Sequence, residues 1–366
     1  KAAIKIEINE GLVQAYAEPE INSDTQTELA DVYANFDYEE VKPSNESKEV
    51  RMIDSIADAI ELAMAKHHNL ILMGQDIAEY GGVFKATEGL VTKYGKSRVR
   101  NTPLCEAAIV GSSLGLSING FKAMMEMQFA DFVTEGFNQI VNNLAKINWR
   151  WGQNADVVVR MPTGAGVAAG PFHSQSNEAW FSHIPGLKIA YPSNAYDAKG
   201  LLLTAFEDPN PVMVFEHKAL YRSTTEQVPT GYYNLPFGQA NLVKEGTDMS
   251  IITYGMGVHW AIKLVEKEGL NMDVLDLRTL VPLDWESVFK SAKKTGKVIV
   301  LHEDTLFGGI GGELVAEISD QCFEYLDAPV KRVASIDTAV PFHPNLESNF
   351  LPINRLESAV KELLNY

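Results

Sequence analysis

The sequence predicts an α/β protein of two domains, each with a mostly parallel sheet flanked by helices. Short apolar segments such as Leu70–Gly74 and Met249–Thr253 alternate with longer segments of helical periodicity. Glycine-rich loops follow several of the apolar segments, as is common where parallel strands end. The chain has 366 residues, of which 46% are hydrophobic, and this is enough for two separate cores.

The chain divides into three predicted regions. Residues 1–49 carry scattered apolar residues and polar stretches, so we expect a linker, with one short helix over residues 4–16. Residues 50–235 form the first predicted domain and residues 236–366 the second. The boundary lies in residues 227–236, which are rich in turn residues and poor in regular pattern.

The predicted elements of both domains alternate between strands and helices, as parallel sheets require. In the first domain, the expected elements cover residues 53–64, 70–74, 106–119, 132–150, 156–160, 187–190, 195–207 and 212–216. In the second domain, we expect helices that end at Glu268, Lys294 and Phe323 and strands over residues 249–253, 272–275 and 297–301.

The charge and the cysteine content limit the classes of function. The net charge of −17 and the pI near 4.9 disfavour binding to nucleic acid or to an anionic membrane, and they favour a basic partner. The two cysteines, Cys105 and Cys322, form no disulfide framework or metal motif, which predicts a reducing compartment, here the cytoplasm. The sequence has no apolar segment of about 18 residues, so we predict no membrane span. Because the chain begins at Lys1 and not at Met, we expect a fragment of a longer protein.

Two glycine motifs in the second domain leave two interpretations open. Gly255-Met256-Gly257 lies between a predicted strand and a predicted helix, but Trp260 replaces the third glycine of a dinucleotide-binding motif. The loop at residues 308–312 could surround an anion at a helix N-terminus. We favour a tight turn for the first motif and close backbone packing for the second.

Two residues in the first domain are candidates for proton chemistry. Glu106 begins a predicted helix of small and apolar residues, where a carboxylate either stabilises the helix dipole or faces a ligand. His173 follows the glycine-rich loop at residues 162–171, where it either transfers a proton or orders the loop. His302, beside Glu303 after a strand, is a weaker candidate. The motifs GxSxG and HExxH and the Walker A loop are absent, which disfavours the common hydrolases, zinc proteases and P-loop proteins.

Several ordered segments resemble the beta subunits of 2-oxo acid dehydrogenases, which belong to the transketolase-like thiamine-diphosphate enzymes. The resemblance covers residues 50–366. Its most specific segments are GGVFKATEGL at 81–90, TPLCE at 102–106, QFADF at 128–132, HSQS at 173–176, PGLK at 185–188, DLRTLVP at 276–282 and HE at 302–303. The resemblance implies a transketolase-like pyrimidine-binding domain, followed by a domain of the transketolase C-terminal type.

The resemblance assigns roles to five residues around the cofactor, thiamine diphosphate. Glu106 would hydrogen-bond to N1′ of the aminopyrimidine and assist its activation by proton exchange. Leu104, Gln128 and Phe132 match positions that line the aminopyrimidine pocket. His173 would lie near the decarboxylated intermediate and assist its transfer to a lipoyl group. Glu106 and His173 are therefore the predicted catalytic residues.

The resemblance also implies two cations. A monovalent cation, commonly K+, would be held by backbone carbonyls and a side chain, although the turn Asp208-Pro209-Asn210 would equally form without it. By resemblance this site comprises Ala155, Val157, Val158, Ala205, Asp208 and Asn210. In this family Mg2+ binds the diphosphate through a GDG…NN motif, which this sequence lacks. We therefore expect an alpha partner to hold the Mg2+ and the active site to lie at an alpha–beta interface.

The resemblance further implies the reaction and the partners. The reaction is oxidative decarboxylation of a 2-oxo acid, with the segments most similar to the branched-chain type and near relatives among pyruvate and acetoin enzymes. The partners are an alpha subunit or alpha region, a second beta half in a heterotetramer, and the basic subunit-binding domain of a lipoyl acyltransferase. Residues 1–49 look like the tail of an alpha region, which is consistent with an alpha–beta fusion.

Two alternatives stay open at this point. One is a fragment of a transketolase or of a deoxyxylulose-phosphate-synthase type of enzyme, which shares both domains but needs its own diphosphate-binding domain. The other is a non-catalytic scaffold that binds the acyltransferase core. An alpha-type sequence with the GDG…NN motif upstream in the parent gene would distinguish these alternatives from a 2-oxo acid dehydrogenase.

Overall fold

A computed structural model describes all 366 residues of the chain. The strands are β1 (Ser47–Arg51), β2 (Leu70–Gly74), β3 (Val99–Asn101), β4 (Lys122–Glu126), β5 (Val157–Thr163), β6 (Lys188–Ala190), β7 (Val212–His217), β8 (Thr225–Pro229), β9 (Asn241–Lys244), β10 (Met249–Thr253), β11 (Met272–Asp276), β12 (Thr279–Val281), β13 (Val298–Thr305) and β14 (Lys331–Ser335). The α-helices are α1 (Ala2–Ala17), α2 (Thr25–Ala30), α3 (Met52–Lys66), α4 (Leu90–Tyr94), α5 (Glu106–Ile118), α6 (Val133–Asn138), α7 (Ile147–Trp151), α8 (Ala179–Ser182), α9 (Ala195–Glu207), α10 (Leu220–Ser223), α11 (Met256–Glu268), α12 (Trp285–Thr295), α13 (Gly311–Gln321), α14 (Pro344–Phe350) and α15 (Ile353–Leu364). None of the helices combines the length and the apolar character that a bilayer span demands.

The first unit of the fold is built around a seven-stranded sheet. The strand order is β12-β6-β7-β5-β4-β2-β3, and every neighbouring pair is parallel except the antiparallel pair of β6 and β12. Every residue of β2, β5 and β7 is buried, because helices cover both faces of the sheet. One face packs against α3 and α9 through residues such as Ile56, Ile60 and Leu202.

The second unit has a five-stranded sheet and shares its core with the first. Its strand order is β14-β13-β10-β11-β9, and only β9 is antiparallel to its neighbour. Tyr191 and Phe215 of the first unit pack in one continuous hydrophobic cluster with Tyr254 and Leu275 of the second. The two mostly parallel sheets with their flanking helices confirm the predicted fold class.

The DLRTLVP segment, residues 276–282, passes from the second sheet to the first. It leaves β11 at Asp276 and joins the first sheet as β12, antiparallel to β6. Arg278 has a φ of +59°, and its guanidinium donates to both carboxylate oxygens of Asp197 at 2.9 and 2.7 Å. Ser193 donates to Asp276, and burial raises the pKa of Asp276 to about 7. The conspicuous polar residues of this segment therefore join the two units.

The N-terminal residues before β1 run along the surface of the first unit. The side chain of Asn210 exchanges two hydrogen bonds with the backbone of Ala34, at 2.8 and 2.9 Å. Asn234 bonds in a similar way to the backbone of residues 39–41. Helix α1 buries none of its residues, and it contains the predicted helix at residues 4–16.

Two predicted elements differ from the structure. The single helix expected over residues 132–150 is interrupted, because the π-helical turn Gln139–Leu144 separates α6 from α7. Gly186 packs against this interruption so closely that a Cβ would lie 1.7 Å from the carbonyl oxygen of Ala145. An apolar pattern does not distinguish the two helix types. Residues 227–236 were expected to be irregular, but they include part of β8. Strand β8 pairs with β1, which lies far away in the sequence, so this pairing could not be predicted from a local sequence pattern.

Both glycine motifs of the second unit serve close packing. Gly255 has a φ of +54°, and a Cβ there would lie 2.4 Å from the ring of Tyr191. Gly309 and Gly311 both face His302, whose ring atoms would lie 2.5 Å from a Cβ at either position. Larger side chains would overlap these neighbours. The positive φ of Gly255 agrees with the tight turn expected for the first motif, and the contacts with His302 agree with the close packing expected for the second.

Candidate active site

The residues predicted for catalysis and for cofactor binding lie along one edge of the first sheet. Glu106 begins α5 after β3, Gln128 and Phe132 follow β4, and His173 lies in the loop after β5. Strands β5, β4, β2 and β3 are parallel neighbours, so their carboxyl ends meet at this edge. Ligands of parallel sheets characteristically bind at the carboxyl ends of the strands. The fold therefore brings these four residues to one candidate site.

The carboxyl group of Glu106 is largely buried and keeps an unused acceptor. Glu106 is 8% exposed and lies in the first turn of α5, where the helix dipole favours negative charge. Gln75, which follows β2, donates from Nε2 to Glu106 Oε1 at 2.9 Å. The second oxygen, Oε2, has no hydrogen-bond partner within the chain. One oxygen is thus fixed by the protein and the other is available to a ligand.

Helix α6 approaches the first turns of α5 closely because α6 carries a glycine. A Cβ at Gly136 would lie 3.1 Å from Val110 and 3.6 Å from the backbone of Glu106. The missing side chain of Gly136 therefore lets α6 pack closely on α5 at Val110, whereas Ala107 and Ala108, which follow Glu106, are exposed. This packing fixes the position of the helix end that presents Glu106.

Leu104 and Gln128, which were predicted to line the aminopyrimidine pocket, differ in exposure, since Leu104 is exposed and Gln128 is partly buried. Leu104 is 79% exposed, so its side chain is free to contact a ligand or another chain. Gln128 donates from Nε2 to Asp76 Oδ2 at 3.2 Å, and this bond fixes the orientation of its amide. Asp76 itself has a φ of +58°, which is uncommon for a residue other than glycine.

Phe132 and His173 belong to an aromatic cluster that also contains Phe84 and Phe129. The imidazole ring of His173 lies 4.7 Å from the ring of Phe129 and 5.6 Å from the ring of Phe132, both in edge-to-face geometry. Phe129 in turn contacts Phe84 and Phe132, each at 5.6 Å between ring centroids. The loop after β5 and the residues after β4 therefore meet through aromatic rings.

Buried charges that the sequence analysis did not select lie beneath the site. The guanidinium of Arg160 in β5 donates to both oxygens of Glu216, at 2.8 and 2.6 Å, and to one oxygen of Glu126. Burial alone would lower the pKa of Arg160, but the two carboxylates raise it. Burial lowers the pKa of Lys218 to about 8. A charged residue within an apolar strand segment is the sequence signal that could have selected Arg160.

The six residues predicted for a monovalent cation lie at the opposite edge of the first sheet. They occupy the start of β5, the end of α9 and the turn before β7. The carboxylate of Asp208 accepts from the ammonium of Lys188 on one oxygen and from Asn210 on the other. The carbonyl of Ala205 has no helical donor, because residue 209 is a proline. A carbonyl is therefore available to a cation here, whereas Lys188 already neutralises Asp208.

The chain is similar to known protein families and to individual relatives. Two family models match, described as "Transketolase, pyrimidine binding domain" over residues 48–224 and "Transketolase, C-terminal domain" over residues 238–355. The 2-oxoisovalerate dehydrogenase subunit beta of Bacillus subtilis is 44% identical over 322 residues, which cover 86% of this chain and 98% of that protein. The pyruvate dehydrogenase E1 component subunit beta of the same organism is 42% identical, covering 86% of this chain and 99% of that protein.

The chain belongs to the E1 beta subunits of the 2-oxo acid dehydrogenases. This confirms the family that the sequence segments indicated. The mitochondrial 2-oxoisovalerate dehydrogenase subunit beta of Dictyostelium discoideum is also similar, at 40% identity over 90% of this chain and 91% of that protein.

A solved structure also shares the fold of this E1 beta subunit. A chain described as "Split gene transketolase, inactive beta4 tetramer" aligns with a TM-score of 0.69 at 23% identity, covering 86% of this chain and 98% of that one. At this identity the likeness concerns the fold alone.

No group of three or more histidine, cysteine, aspartate or glutamate side chains is arranged to hold a metal ion in this E1 beta subunit. The residues at the candidate site nevertheless fit an aminopyrimidine. Glu106 has a free oxygen in a largely buried position, Phe132 offers a ring face and Gln128 offers an amide. An aromatic heterocycle with ring nitrogens and an amino group requires partners of these kinds.

Proposed function

We propose that this E1 beta subunit supplies the aminopyrimidine side of a thiamine-diphosphate active site for the oxidative decarboxylation of a 2-oxo acid. The observation that carries the proposal is the carboxyl group of Glu106. It is largely buried at the ligand-binding edge of the sheet, with one oxygen bound to Gln75 and the other free. The similarity to E1 beta subunits supports the same activity.

Thiamine diphosphate, when bound, would supply a nucleophilic thiazolium carbon and a cationic ring that can accept an electron pair. Glu106 would share a proton with N1′ of the aminopyrimidine through its free oxygen. Phe132 would pack against the aminopyrimidine ring, and Gln128 would add a polar contact. The exposed Leu104 would provide an apolar contact beside the carboxyl group.

His173 is the second proposed catalytic residue. Its imidazole lies against Phe129 and Phe132, in the loop that follows β5 at the same edge of the sheet. An imidazole can donate a proton near neutral pH, which suits protonation of a lipoyl sulfur during transfer of the acyl group. We therefore assign His173 to the transfer step and Glu106 to activation of the cofactor.

The proposed partners follow from what the chain does not supply itself. An alpha subunit or alpha region would hold the Mg2+ and the diphosphate and would complete the site at the sheet edge. A second beta half would complete a heterotetramer. The net charge of −17 suits the basic subunit-binding domain of a lipoyl acyltransferase. A K+ at the turn before β7 would bind through carbonyls such as that of Ala205.

A reconstitution experiment tests the proposed function. The chain is combined with an alpha partner, thiamine diphosphate and Mg2+, and CO2 release is measured with 2-oxoisovalerate, pyruvate and other 2-oxo acids. We expect decarboxylation, with the branched-chain acid preferred because the 2-oxoisovalerate subunit is the most identical of the relatives described above. Absence of turnover with every 2-oxo acid, from an assembled pair, would contradict the proposal.

A further inference from the structure

The loop that carries His173 has a backbone conformation that local sequence alone does not stabilise. This loop, residues 164–177, connects β5 to α8. Its left-handed residues, with φ between 55° and 93°, are Gly164, Gly166, Ala168 and Gly170. Such conformations are unfavourable for alanine and entropically costly for glycine, so contacts from outside the loop must hold it.

Two carboxylates of the second unit supply these contacts. Glu303, in β13, accepts from the backbone N–H of Ala165 at 2.6 Å and from the hydroxyl of Ser176 at 3.2 Å. Glu347, in α14, accepts from the N–H of Gly166 at 2.9 Å and from the N–H of Ala168 at 3.0 Å. Both glutamates are buried. Charge-assisted bonds of this kind are stronger than bonds between neutral groups.

Two basic residues of the first unit, Lys218 and His217, contact the start of the loop and Glu303. Lys218 donates to the carbonyl of Gly164 at 2.7 Å, and His217 Nε2 lies 2.7 Å from Glu303 Oε2. Burial would raise the pKa of Glu303, but its bonds to His217 and Ala165 lower it, which favours the ionised carboxylate. The first residues of the loop are therefore held from both units, before the chain reaches His173.

We propose that Glu303 and Glu347 are positioning residues that fix the loop so that His173 stays against Phe129 and Phe132. By this inference the second unit contributes to the transfer step through the loop that carries His173. The inference rests on the proposed role of His173. Glu347 is the better residue to test, because its carboxylate bonds only to the loop.

The first test measures the loop itself and does not depend on activity. In Glu347→Gln, the amide group retains one acceptor but turns a donor toward an N–H of the loop. We expect the backbone amides of residues 165–168 to exchange with solvent at least about 10-fold faster in the full chain, as local opening becomes easier. Asp273→Asn is the control for loss of a buried carboxylate of the second unit that does not contact the loop, although Asp273 also pairs with Lys294. Asp273 is also buried in the second unit and accepts from a backbone N–H, that of Gly246 at 2.8 Å, but at the opposite edge of the sheet.

The second test uses the assembled enzyme and a double-mutant cycle. We expect Glu347→Gln to lower lipoyl-dependent turnover by roughly 10-fold, since a misplacement of about 1 Å costs up to ~10²-fold. Decarboxylation with an artificial electron acceptor should fall by less than about 2-fold, and Asp273→Asn should show no selective loss. In the His173→Ala background, Glu347→Gln should cause no further loss. Glu347→Asp, which keeps the charge, should recover part of the transfer activity.

Three outcomes overturn the inference, and each differs from a failure of the proposed function. Unchanged hydrogen exchange of the loop amides in Glu347→Gln would show that Glu347 does not hold the loop. Equal losses in the two assays, or a full additional loss in the His173→Ala background, would reduce Glu347 to a purely structural residue. An assembled wild-type enzyme that decarboxylates no 2-oxo acid would refute the proposed function. The hydrogen-exchange experiment would still test whether Glu347 holds the loop.

Discussion

The residues that follow the carboxyl ends of the strands have different roles in the two sheets of this protein. In the first sheet, the ends of β3, β4 and β5 lead to Glu106, Phe132 and His173, whose polar and aromatic groups converge at one edge. In the second sheet, the ends of β10 and β13 lead to glycines that pack against Tyr191 and His302. The same succession of strand, loop and helix thus forms an open site in one unit and a closed core in the other.

The contrast shows what a glycine-rich loop indicates about function. His302 is fully buried, neither ring nitrogen has a hydrogen-bond partner, and burial lowers its pKa to about 4. It is therefore neutral near pH 7 and enclosed, so it does not act as the proton-transfer candidate that its sequence position suggested. Glu303, the next residue, faces the other way and holds the His173 loop.

The largest expected effect concerns the open edge. In the assembled enzyme, Glu106→Gln should lower turnover by ~10²–10⁴, because an amide cannot exchange a proton with the aminopyrimidine. The fold should persist, since the Gln side chain is nearly the same size. Turnover and thermal unfolding are measured together, with Glu313→Gln, an exposed residue of α13, as the control. Unchanged turnover would remove Glu106 from the mechanism.

The next effect separates two steps at the same edge. His173→Ala should lower lipoyl-dependent turnover by about 10²-fold, as is typical for loss of a general acid. Decarboxylation measured with an artificial electron acceptor should fall less, because that assay does not require the transfer step. If His173 only orders its loop, both activities and the melting temperature should fall together.

A smaller effect tests the closed edge. Gly311→Ala should destabilise the protein by about 1–3 kcal/mol, because the added Cβ would lie 2.5 Å from His302 Nε2. Gly312→Ala is the matched control, since its Cβ would meet only Arg332 at 3.5 Å. As a helical glycine, Gly312 should tolerate alanine or gain up to about 1 kcal/mol. Similar unfolding free energies for the two variants would show that the second edge is not tightly closed.

The smallest effect concerns the junction between the two units, where Glu178 of the first unit contacts Tyr254 of the second. Tyr254 donates to Glu178 Oε1 at 2.7 Å, and burial raises the pKa of Glu178 to about 8 from its ordinary 4.5. The folded state therefore holds this proton where the unfolded state releases it. The contribution to stability is fully present below about pH 4.5 and is lost as the pH rises through about 8.

Glu178→Gln removes this proton dependence. The melting temperature of the variant, relative to that of the wild type, should rise between pH 5 and pH 8.5, as scanning calorimetry can measure. Glu313→Gln, on the exposed face of α13, should show no such change. A difference in melting temperature that does not vary with pH would mean that Glu178 is hydrated and ionised.

The sequence predicted the open edge better than the junction. Strands such as Leu70–Gly74 were predicted to the residue because local apolar segments define them. The sequence also selected Glu106 and His173, because family segments surround them, and the structure brings both to one edge. It did not reveal β12 in the first sheet or the contacts of Glu347 with the loop, since these link residues more than 80 positions apart.

The central claim is that this chain holds one half of an active site, at the open edge of its first sheet. The most direct test is to measure CO2 release from a 2-oxo acid by the purified chain, with thiamine diphosphate and Mg2+, before and after adding an alpha partner. We expect no turnover by the chain alone and turnover after assembly, and we expect Glu106→Gln to abolish that turnover. Turnover by the chain free of any alpha partner would contradict it.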